Sequence, residues 1–420
     1  MLRIRPFAAL RPPADKAAAL ASVPYDVVST SEARTLAAGN PASFLHIIRP
    51  EIDLPDSTDP HAPAVYDAAK AAFARFQREG LLVRDDRPSI FIYRQEMDLA
   101  GKLLSQTGIV GCCHIDDYTS GLIKRHENTR KDKEDDRTRH VLILNANAEP
   151  VFFLYKDRPE LEGLVSADTR PAPLYDFKAP DGVRHTVWRA AASDSYVKAF
   201  AQVSCAYVAD GHHRTASAAR AGAERRAANP KHTGSEEYNW FLAVLFPASA
   251  LTILPYHRVV KDLDGRTPQE FLDELREAVQ VGDDGGPQGP PRPGTISMYI
   301  GGRFGERGEW RLLTFPEKSI DRADPIRSLD VSLLTERILD PVLGIADPRT
   351  DNRIDFVGGI RGPGELEKRV DGGDAAVAFS MYPTTIEQLI AVADAGQIMP
   401  PKSTWFEPKL RSGLFLHTLD

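Results

Sequence analysis

The sequence predicts an α/β protein built around a central mixed sheet. Short apolar segments of strand length alternate along the chain with longer segments whose apolar residues recur at helical spacing. Residues 240–246 and 251–260 are almost continuously apolar, which favours central strands of a sheet. Hydrophobic residues make up 42% of the 420 residues even before glycine is counted, an ordinary value for a globular protein. We therefore expect a chain with a substantial buried core.

The N-terminal region predicts strands and helices in alternation. An opening strand precedes a helix from about Ser31 to Gly39, since serine can cap a helix and glycine can adopt the left-handed conformation that ends one. Apolar residues within 65–76 recur at helical spacing and predict another helix. Residues 89–97 and 108–115 predict strands, and the second of these leads into a highly charged stretch.

The middle and C-terminal regions continue this alternation. A helix is expected over 187–203, then a strand at 205–210 and an Ala-rich helix over 215–228. Glycine and proline residues at 283–294 predict a boundary between a first region, 1–282, and a C-terminal α/β region, 283–420. The elements expected after this boundary are a hairpin of 295–300 and 310–315 with a glycine-rich turn at 301–305, a helix over 332–343, strands at 353–357 and 375–382, and a helix over 385–395.

Composition and motif content exclude several classes of protein. The formal net charge is −7, which argues against a protein that coats nucleic acid. Three cysteines, two of them adjacent, cannot form a disulfide framework and indicate a reducing, cytoplasmic environment. The longest apolar stretch, 240–254, is interrupted by proline and hydroxyl residues and is shorter than the roughly 20 residues that span a bilayer, so no membrane segment is expected. The sequence also lacks the motifs of Walker-type NTPases, protein kinases, HExxH metalloproteases and GxSxG hydrolases.

The strongest chemical signal is a five-residue segment between a short apolar strand and a helix. It consists of Asp210, Gly211, His212, His213 and Arg214. Gly211 permits a sharp turn, and the first N–H groups of the following helix favour an anion. Arg214 and the histidines add hydrogen-bond donors, and Asp210 could hold a cation or orient a histidine. The segment therefore predicts a phosphate-binding turn, against the alternative that the histidines only cap the helix.

Three further segments carry candidate residues. The charged stretch 124–140 has the i,i+4 pairs of a solvated helix, but its first residues, including Arg125, His126 and Glu127, follow a strand and could project into a cleft. Asp26 lies in a Pro-Tyr-Asp turn, where it could act as a base or simply form an Asx turn. His46 and Arg49 could bind a carboxylate substrate. A stiff loop near the C-terminus could close over a site or pack as a tail, and its polar residues are Lys402, Ser403, Thr404 and Lys409.

Four segments taken in order resemble the signature segments of a bacterial family that is known only as a domain of unknown function. They are VPYDVV, IKRHENTRKDKEDDRTRH, YVADGHHRTASA and MPPKSTWFEPK. This family is similar to the SerK-type free-serine kinases and, more distantly, to the nucleotide-binding fold of ParB and sulfiredoxin. The resemblance spans nearly the whole chain, and it implies that the central sheet has the ParB/sulfiredoxin arrangement with a C-terminal α/β elaboration.

The resemblance also implies an activity, cofactors and roles. It implies transfer of a phosphoryl group from ATP to the hydroxyl of free L-serine in the presence of Mg²⁺, giving O-phosphoserine. Asp210 to Arg214 would bind the nucleotide phosphates, with Asp210 on the metal. In the relatives an early glutamate activates the hydroxyl, and the comparable early acid here is Asp26. Glu127 is the rival base, and His126 is a further catalytic candidate. The residues themselves, apart from the resemblance, suggest that the substrate is held by members of the set His46, Arg49, Arg125, Lys402, Ser403, Thr404 and Lys409.

Two other readings remain open at this point. A non-catalytic nucleotide switch of ParB-like type would bind nucleotide and recruit a partner without phosphorylating serine. A metal-dependent hydrolase using Asp210, His212 and His213 is less favoured, because adjacent histidines can hardly share one metal ion. No nucleic-acid or membrane partner is expected, and a homodimer is compatible with the sequence.

Overall fold

The protein is described here by a computed structural model of residues 1–301 and 307–420. The chain forms two units, one made of residues 1–251 together with 408–420 and the other of residues 252–407. The α/β class predicted from the sequence is confirmed. Among the described residues, none of the helices combines the length and the apolar composition that crossing a bilayer requires.

The first unit contains a large mixed sheet with helices packed around it. Its strands are β1 (Ile4–Arg5), β2 (Leu10–Arg11), β3 (Val83–Arg84), β4 (Phe91–Leu99), β5 (Lys102–His114), β6 (Ile123–Lys124), β7 (Ala146–Asn147), β8 (Val151–Tyr155), β9 (Tyr175–Lys178), β10 (Arg184–Arg189), β11 (Ala206–Asp210), β12 (Trp240–Pro247) and, from the C-terminal segment, β21 (His417–Thr418). Its helices are α1 (Ala17–Leu20), α2 (Thr30–Ala37), α3 (Leu45–Ile48), α4 (Pro63–Arg78), α5 (Ile115–Thr119), α6 (Lys131–Leu144), α7 (Pro159–Asp168), α8 (Ser193–Phe200) and α9 (His212–Ala228).

The large sheet has the strand order β6-β11-β8-β12-β5-β4-β10-β9, and β1 pairs with the far end of β5. Strands β6 and β11 are parallel, as are β8 and β12, while the other pairs along this order are antiparallel. Strand β12 is central and almost wholly buried, in agreement with its continuous apolar sequence. This topology leaves β11 near one edge of the sheet, where it leads directly into α9.

The second unit contains a smaller sheet of order β15-β17-β16-β19-β14-β18 and a separate pair of β13 with β20. Its strands are β13 (Thr252–Leu254), β14 (Tyr256–Val260), β15 (Gln280–Gly282), β16 (Thr295–Ile300), β17 (Glu309–Thr314), β18 (Ile354–Gly358), β19 (Val377–Met381) and β20 (Trp405–Glu407). Its helices are α10 (Pro268–Ala278), α11 (Asp330–Leu334), α12 (Pro363–Asp371) and α13 (Ile386–Asp394). Of the glycine-rich turn expected between β16 and β17, residues 302–305 lie outside the described residues.

The boundary between the units differs from the one expected at residues 282 and 283. Strand β14 already pairs with β18 and β19, so the second unit begins near Thr252. The glycine- and proline-rich segment 283–294 connects β15 to β16 within one sheet. The composition of this segment correctly indicates a loop, but the loop lies inside the second unit. The boundary between the units depends on long-range strand pairing, which local composition does not reveal.

Several helices also differ from expectation, and the one expected over 332–343 is observed as α11 followed by a π-helix at Thr335–Leu339. The helix expected over 187–203 begins only at Ser193, because Val187 and Trp188 belong to β10 and pair with β4. Helix α2 is capped by Ser29 and not by Ser31, because Ser29 lies three residues before Glu32 and the two form a reciprocal capping box.

Candidate functional site

The site predicted from the sequence lies where β11 turns into α9. Gly211 has φ +85°, a conformation that other residues adopt at a cost, and it lets the chain enter the helix directly after Asp210. Helix α9 has neither a side-chain cap nor an acidic residue in its first turn. Its first N–H groups and the positive end of its dipole are therefore not satisfied by the usual side chains.

Arg214 connects two carboxylates within this turn. Its side chain is buried, and its Nη1 donates a hydrogen bond to the carbonyl of Pro150 at 2.8 Å. Its Nη2 lies 3.5 Å from a carboxylate oxygen of Asp26 and 4.0 Å from one of Asp210. Burial opposes the charge, but the carboxylates of Asp26, Asp210 and Glu149 outweigh it and raise the pKa of Arg214. The guanidinium is thus a fixed cation at the start of α9.

Asp210 is held by a lysine that is distant in the sequence. Lys409 Nζ donates to Asp210 Oδ2 at 2.9 Å, and the Gly211 N–H donates to Oδ1 at 2.7 Å. Burial favours the neutral acid, but Lys409 and Arg214 outweigh it and lower the pKa of Asp210. Asp210 is therefore an ionised carboxylate at neutral pH, surrounded by positive charge.

The segment that carries Lys409 is held by buried glutamines of the large sheet. Gln106 Nε2 donates to the carbonyl of Pro408 at 3.0 Å, and Gln95 Nε2 donates to the carbonyl of Lys409 at 2.7 Å. Both glutamines are almost fully buried. These contacts fix the backbone on either side of Lys409, so its ammonium group reaches Asp210 from a defined position.

A buried glutamate fixes the turn that carries Asp26. Glu149 Oε1 accepts hydrogen bonds from the Tyr25 N–H at 3.1 Å and from Ser412 Oγ at 3.0 Å. Arg49 contributes from the other side, since its Nη1 donates to the Tyr25 carbonyl at 3.3 Å. Burial raises the pKa of Glu149, against the opposing effect of Arg214. The position of Asp26 next to Arg214 is therefore built from several separate segments.

A second helix begins beside the first. The N–H of Arg130, which precedes α6, donates to His213 Nε2 at 3.0 Å. Ser217 Oγ on α9 donates to the Glu134 carbonyl on α6 at 3.1 Å. Burial lowers the pKa of His213, in keeping with its role as a neutral hydrogen-bond acceptor. The N-terminal ends of α6 and α9 thus lie side by side, and both dipoles direct positive charge to this end.

The other candidate acid lies on a different side of α9. A carboxylate oxygen of Glu127 is 3.7 Å from His212 Nδ1, and the His212 ring packs edge-on against His126 at 4.6 Å. Burial lowers the pKa of His126 to about 4 and that of His212 far below its usual range, so both are neutral near pH 7. Residues 212 and 214 are about 200° apart around a helix. Glu127 and Asp26 therefore flank the first turn of α9 from opposite sides.

The remaining predicted residues have other surroundings. Both ring nitrogens of His46 are engaged, with Asp53 at 2.8 Å and with the Asn40 carbonyl at 3.2 Å. Arg125 is exposed, and its positive charge opposes the rise in the pKa of Tyr118 that burial causes. The expected residues Lys402, Ser403 and Thr404 belong to the second unit, where they precede β20.

Sequence reasoning missed Glu149, which contacts Tyr25 across 124 residues, and Ser412, which contacts Glu149 across 263 residues. The glutamines Gln95 and Gln106 were missed as well. No local signal marks these glutamines, because Gln95 stands between Arg94 and Glu96 and Gln106 stands between two hydroxyl residues. No local pattern marks Glu149 as the centre of this network.

The donor set at the start of α9 suits a metal ion that is shared with a phosphate group. Within residues 1–301 and 307–420, no three His, Cys, Asp or Glu side chains are grouped as a complete metal site. Mg²⁺ needs only one or two protein carboxylates when substrate phosphates and water complete its shell. Asp210, ionised and close to a second carboxylate through Arg214, fits that requirement.

Comparison with solved structures found several with low identity. The chain is 12% identical to a free serine kinase in complex with AMP, covering 70% of this chain and 86% of that one with a TM-score of 0.36. A conserved hypothetical protein from Pyrococcus furiosus is 12% identical, with coverage of 72% and 93% and a TM-score of 0.35. C-terminally truncated SbnI from Staphylococcus aureus is 11% identical, with coverage of 72% and 85% and a TM-score of 0.38.

Comparison with curated proteins found no match. A family profile described as "Protein of unknown function (DUF1015)" matches residues 4–332. This range is most of the chain and includes Asp26, Glu127 and the whole turn from Asp210 to Arg214. The chain belongs to the DUF1015 family.

Proposed function

We propose that this protein is a kinase that transfers the γ-phosphoryl group of ATP to the hydroxyl of free L-serine. The observation that carries the proposal is the start of α9, where an uncapped helix end, Arg214 and the Lys409–Asp210 pair surround one point. A second carboxylate, Asp26, lies 3.5 Å from the same guanidinium. Phosphate-binding groups and a carboxylate that can orient a hydroxyl thus occur together.

The first part of the proposal is that the start of α9 binds nucleotide phosphates. Main-chain N–H groups at a helix N-terminus bind phosphate oxygens, and the dipole favours negative charge there. Arg214 adds planar donors of the kind that pair with phosphate oxygens. Its charged partners are Asp26 and Asp210, and a phosphate would compete with them for the same N–H groups.

Asp210 is the residue proposed to hold Mg²⁺ together with the phosphates. When bound, the ion would neutralise charge on the β- and γ-phosphates. Lys409 contacts Asp210 Oδ2, and this contact keeps Asp210 ionised. The same ammonium group is long and flexible enough to turn from the carboxylate towards a phosphate oxygen when one arrives.

Asp26 is proposed as the carboxylate that orients the acceptor. In the reaction the serine hydroxyl oxygen forms a bond to the γ-phosphorus while the bond from that phosphorus to the bridging oxygen breaks. The hydroxyl proton passes to Asp26, ADP leaves, and O-phosphoserine is the second product. Little covalent chemistry is required of the protein, because positioning and charge neutralisation supply most of the catalysis.

Asp26 is preferred over Glu127 because of the shared arginine. Arg214 contacts both Asp26 and Asp210, so a phosphate held there would lie next to Asp26. Glu127 contacts His212 on the opposite side of the helix. His126 is buried and neutral, and it is better suited to support His212 than to exchange protons with a substrate.

The choice of serine as acceptor rests on the sequence resemblance to SerK-type enzymes. The turn from Asp210 to Arg214 matches the phosphate-binding motif of that group without departure. The early acid is the one departure, since an aspartate stands where those enzymes carry a glutamate. A shorter acid can serve the same role when its turn is fixed, and Glu149 and Arg49 fix this one.

The experiment is a product assay with ATP, Mg²⁺ and a panel of free amino acids, analysed for phosphorylated amino acids by mass spectrometry. Wild type, Arg214→Gln and Arg220→Gln are compared. Arg220 lies on the exposed side of α9 and pairs with Asp135 and Glu224, so it is the matched control. O-phosphoserine from wild type and from the control, but not from Arg214→Gln, is the expected result.

Two results would contradict the proposal. Phosphorylation of another amino acid but not of serine would show that serine is not the acceptor, while the proposed phosphate-binding site would stand. Nucleotide binding that depends on Arg214, with no amino acid phosphorylated, would overturn the kinase activity and favour a nucleotide switch.

A further inference from the structure

A buried arginine in the second unit has no acidic partner among the residues that the structure describes. Arg258 lies in β14, between the neighbouring strands β18 and β19, and only 3% of its surface is exposed. Its guanidinium donates to the main-chain carbonyls of Tyr256 and Pro401, and it lies over the ring of Phe356 at 5.3 Å. No carboxylate of the described residues lies within ion-pair distance of it.

This arrangement is unusual for a buried charge. Removing a cation from water is costly unless an opposite charge or a complete set of hydrogen bonds replaces the water. A guanidinium has five N–H groups, and two donate here to carbonyls, which leaves three. Burial lowers the pKa of Arg258 to about 9, so the group is still a cation near neutral pH.

Another arginine of the same unit has the acidic partners that a guanidinium usually has. Arg353 lies within 3.5 Å of three aspartates, Asp262, Asp264 and Asp351. It is also more exposed than Arg258, so it needs those partners less. The absence of any such partner at Arg258, among the residues the structure describes, therefore points to a negative group supplied from outside the chain.

A second cation belongs to the same cluster. Lys402 Nζ lies 5.6 Å from the centre of the Tyr256 ring, whose main-chain carbonyl accepts from Arg258. Lys402 has φ +55°, a conformation that costs free energy for a residue with a side chain. The turn that carries it is held by Ser403 Oγ, which donates to the Pro400 carbonyl at 2.7 Å. No carboxylate of the described residues pairs with Lys402 either.

The side chain of Trp405 belongs to the same cluster, and its fluorescence can report on a bound ligand. The Trp405 ring packs edge-on against Tyr256 at 5.1 Å. It also lies directly against Gly358, where an added Cβ would come within 2.7 Å of the indole. Trp405 is thus held firmly beside the two cations, and its fluorescence should respond to a ligand there.

We propose that Arg258 and Lys402 form an oxyanion-binding site in the second unit, which takes a carboxylate or a phosphate group. The three remaining N–H groups of Arg258 suit the two oxygens of such a group, and the Lys402 ammonium adds a mobile charge. The rings of Tyr256, Phe356 and Trp405 would exclude water and strengthen the attraction. This site is separate from the proposed kinase activity and does not depend on it.

The test is a fluorescence titration of the full-length protein with inorganic phosphate, acetate and chloride at constant ionic strength. The Trp405 signal is the difference between wild type and Trp405→Phe. We expect a saturable change with phosphate, acetate or both, and none with chloride. Because charge-assisted hydrogen bonds are strong, Arg258→Gln should weaken binding about tenfold or more and Lys402→Gln about threefold. Arg353→Gln is the matched control and should leave the titration unchanged.

The titrations with phosphate and with acetate distinguish a phosphate ligand from a carboxylate ligand. A response to phosphate alone identifies a phosphate site, and a response to both anions identifies a site that also takes carboxylates. The proposal is overturned if neither anion gives a saturable change, or if Lys402→Gln binds as well as wild type. The second criterion decides the matter even if Arg258→Gln fails to fold, because Lys402 is exposed and its substitution leaves the core intact.

Discussion

Two helices of this protein begin in opposite ways. In the second unit, α10 follows Thr267, whose Oγ1 accepts from the Glu270 N–H at 3.3 Å while the Glu270 carboxylate accepts from the Thr267 N–H at 2.9 Å. In the first unit, α9 follows Gly211, which has no side chain, and its first turn contains two histidines and an arginine instead of an acid. One helix end is closed by its own residues, and the other is open.

The difference supports the proposal that α9 begins at a binding site while α10 has a purely structural N-terminus. The capping box of α10 satisfies both N–H groups and places a negative charge near the dipole, so nothing further is needed. At α9 the surrounding ions come from distant segments, and buried or partly buried hydrogen bonds hold these segments in place. These contacts hold ions around an open helix end, and they support the proposal that an anion binds there.

The largest expected effect follows from removing the cation of the open end. Arg214→Gln should lower kcat/KM for ATP-dependent transfer by about 10³-fold or more, the scale of an arginine that stabilises a phosphoryl transition state. Steady-state rates with serine and ATP measure it. The kcat/KM of Arg220→Gln, on the same helix, should stay close to that of wild type. An equal loss in both variants would show that the effect comes from reduced stability of the helix.

The next effect distinguishes the two carboxylates beside α9. Asp26→Asn should lower kcat by about 10²-fold or more with little change in nucleotide affinity, since a positioned acid–base group contributes on this scale. Glu127→Gln should lower it far less. Rates at saturating serine, together with nucleotide binding by calorimetry, measure both. The reverse order of the two variants would assign the base to Glu127 and would contradict the role of Arg214 in linking the sites.

A smaller effect is expected at the lysine that holds Asp210. Lys409→Met removes a charge-assisted hydrogen bond and leaves Asp210 without its closest cation, so nucleotide affinity should fall about tenfold. Lys231→Met, in an exposed loop of the same unit, is the control. Calorimetric titration with ATP and Mg²⁺ measures the change. Unaltered affinity in Lys409→Met would mean that the C-terminal segment has only a structural role.

The smallest effect tests the closed end. Thr267→Ala breaks the capping box of α10 and should lower the free energy of unfolding by about 1 kcal/mol, with no change in the rate of phosphoryl transfer. Thermal or denaturant unfolding measures the first, and the product assay measures the second. Loss of activity without loss of stability would show that the two helix ends are not as different as their sequences indicate.

The sequence predicted those parts of the site that are local. A strand, a glycine and a helix beginning with His-His-Arg follow one another within a few residues, so the open end of α9 could be recognised directly. The partners of that turn could not, because Lys409 meets Asp210 across 199 residues and Glu149 meets Ser412 across 263. Such contacts depend on the chain leaving the first unit near Leu251 and returning at Pro408.

Dependence on long-range contacts also explains why the boundary between the two units was not predicted correctly. The glycine- and proline-rich segment 283–294 is a strong local signal for a loop, and a loop is present there. Which sheet a strand joins is decided by its partners, and β14 pairs with strands about 100 to 120 residues further along the chain. Local composition therefore cannot predict which sheet β14 joins.

The most direct test of the central claim is a crystal structure of the protein with ADP and Mg²⁺. We predict that phosphate oxygens accept hydrogen bonds from the main-chain N–H groups of the first turn of α9 and from the Arg214 guanidinium. A nucleotide bound with its phosphates elsewhere, with Arg214 still paired with Asp26 and Asp210, would contradict the account.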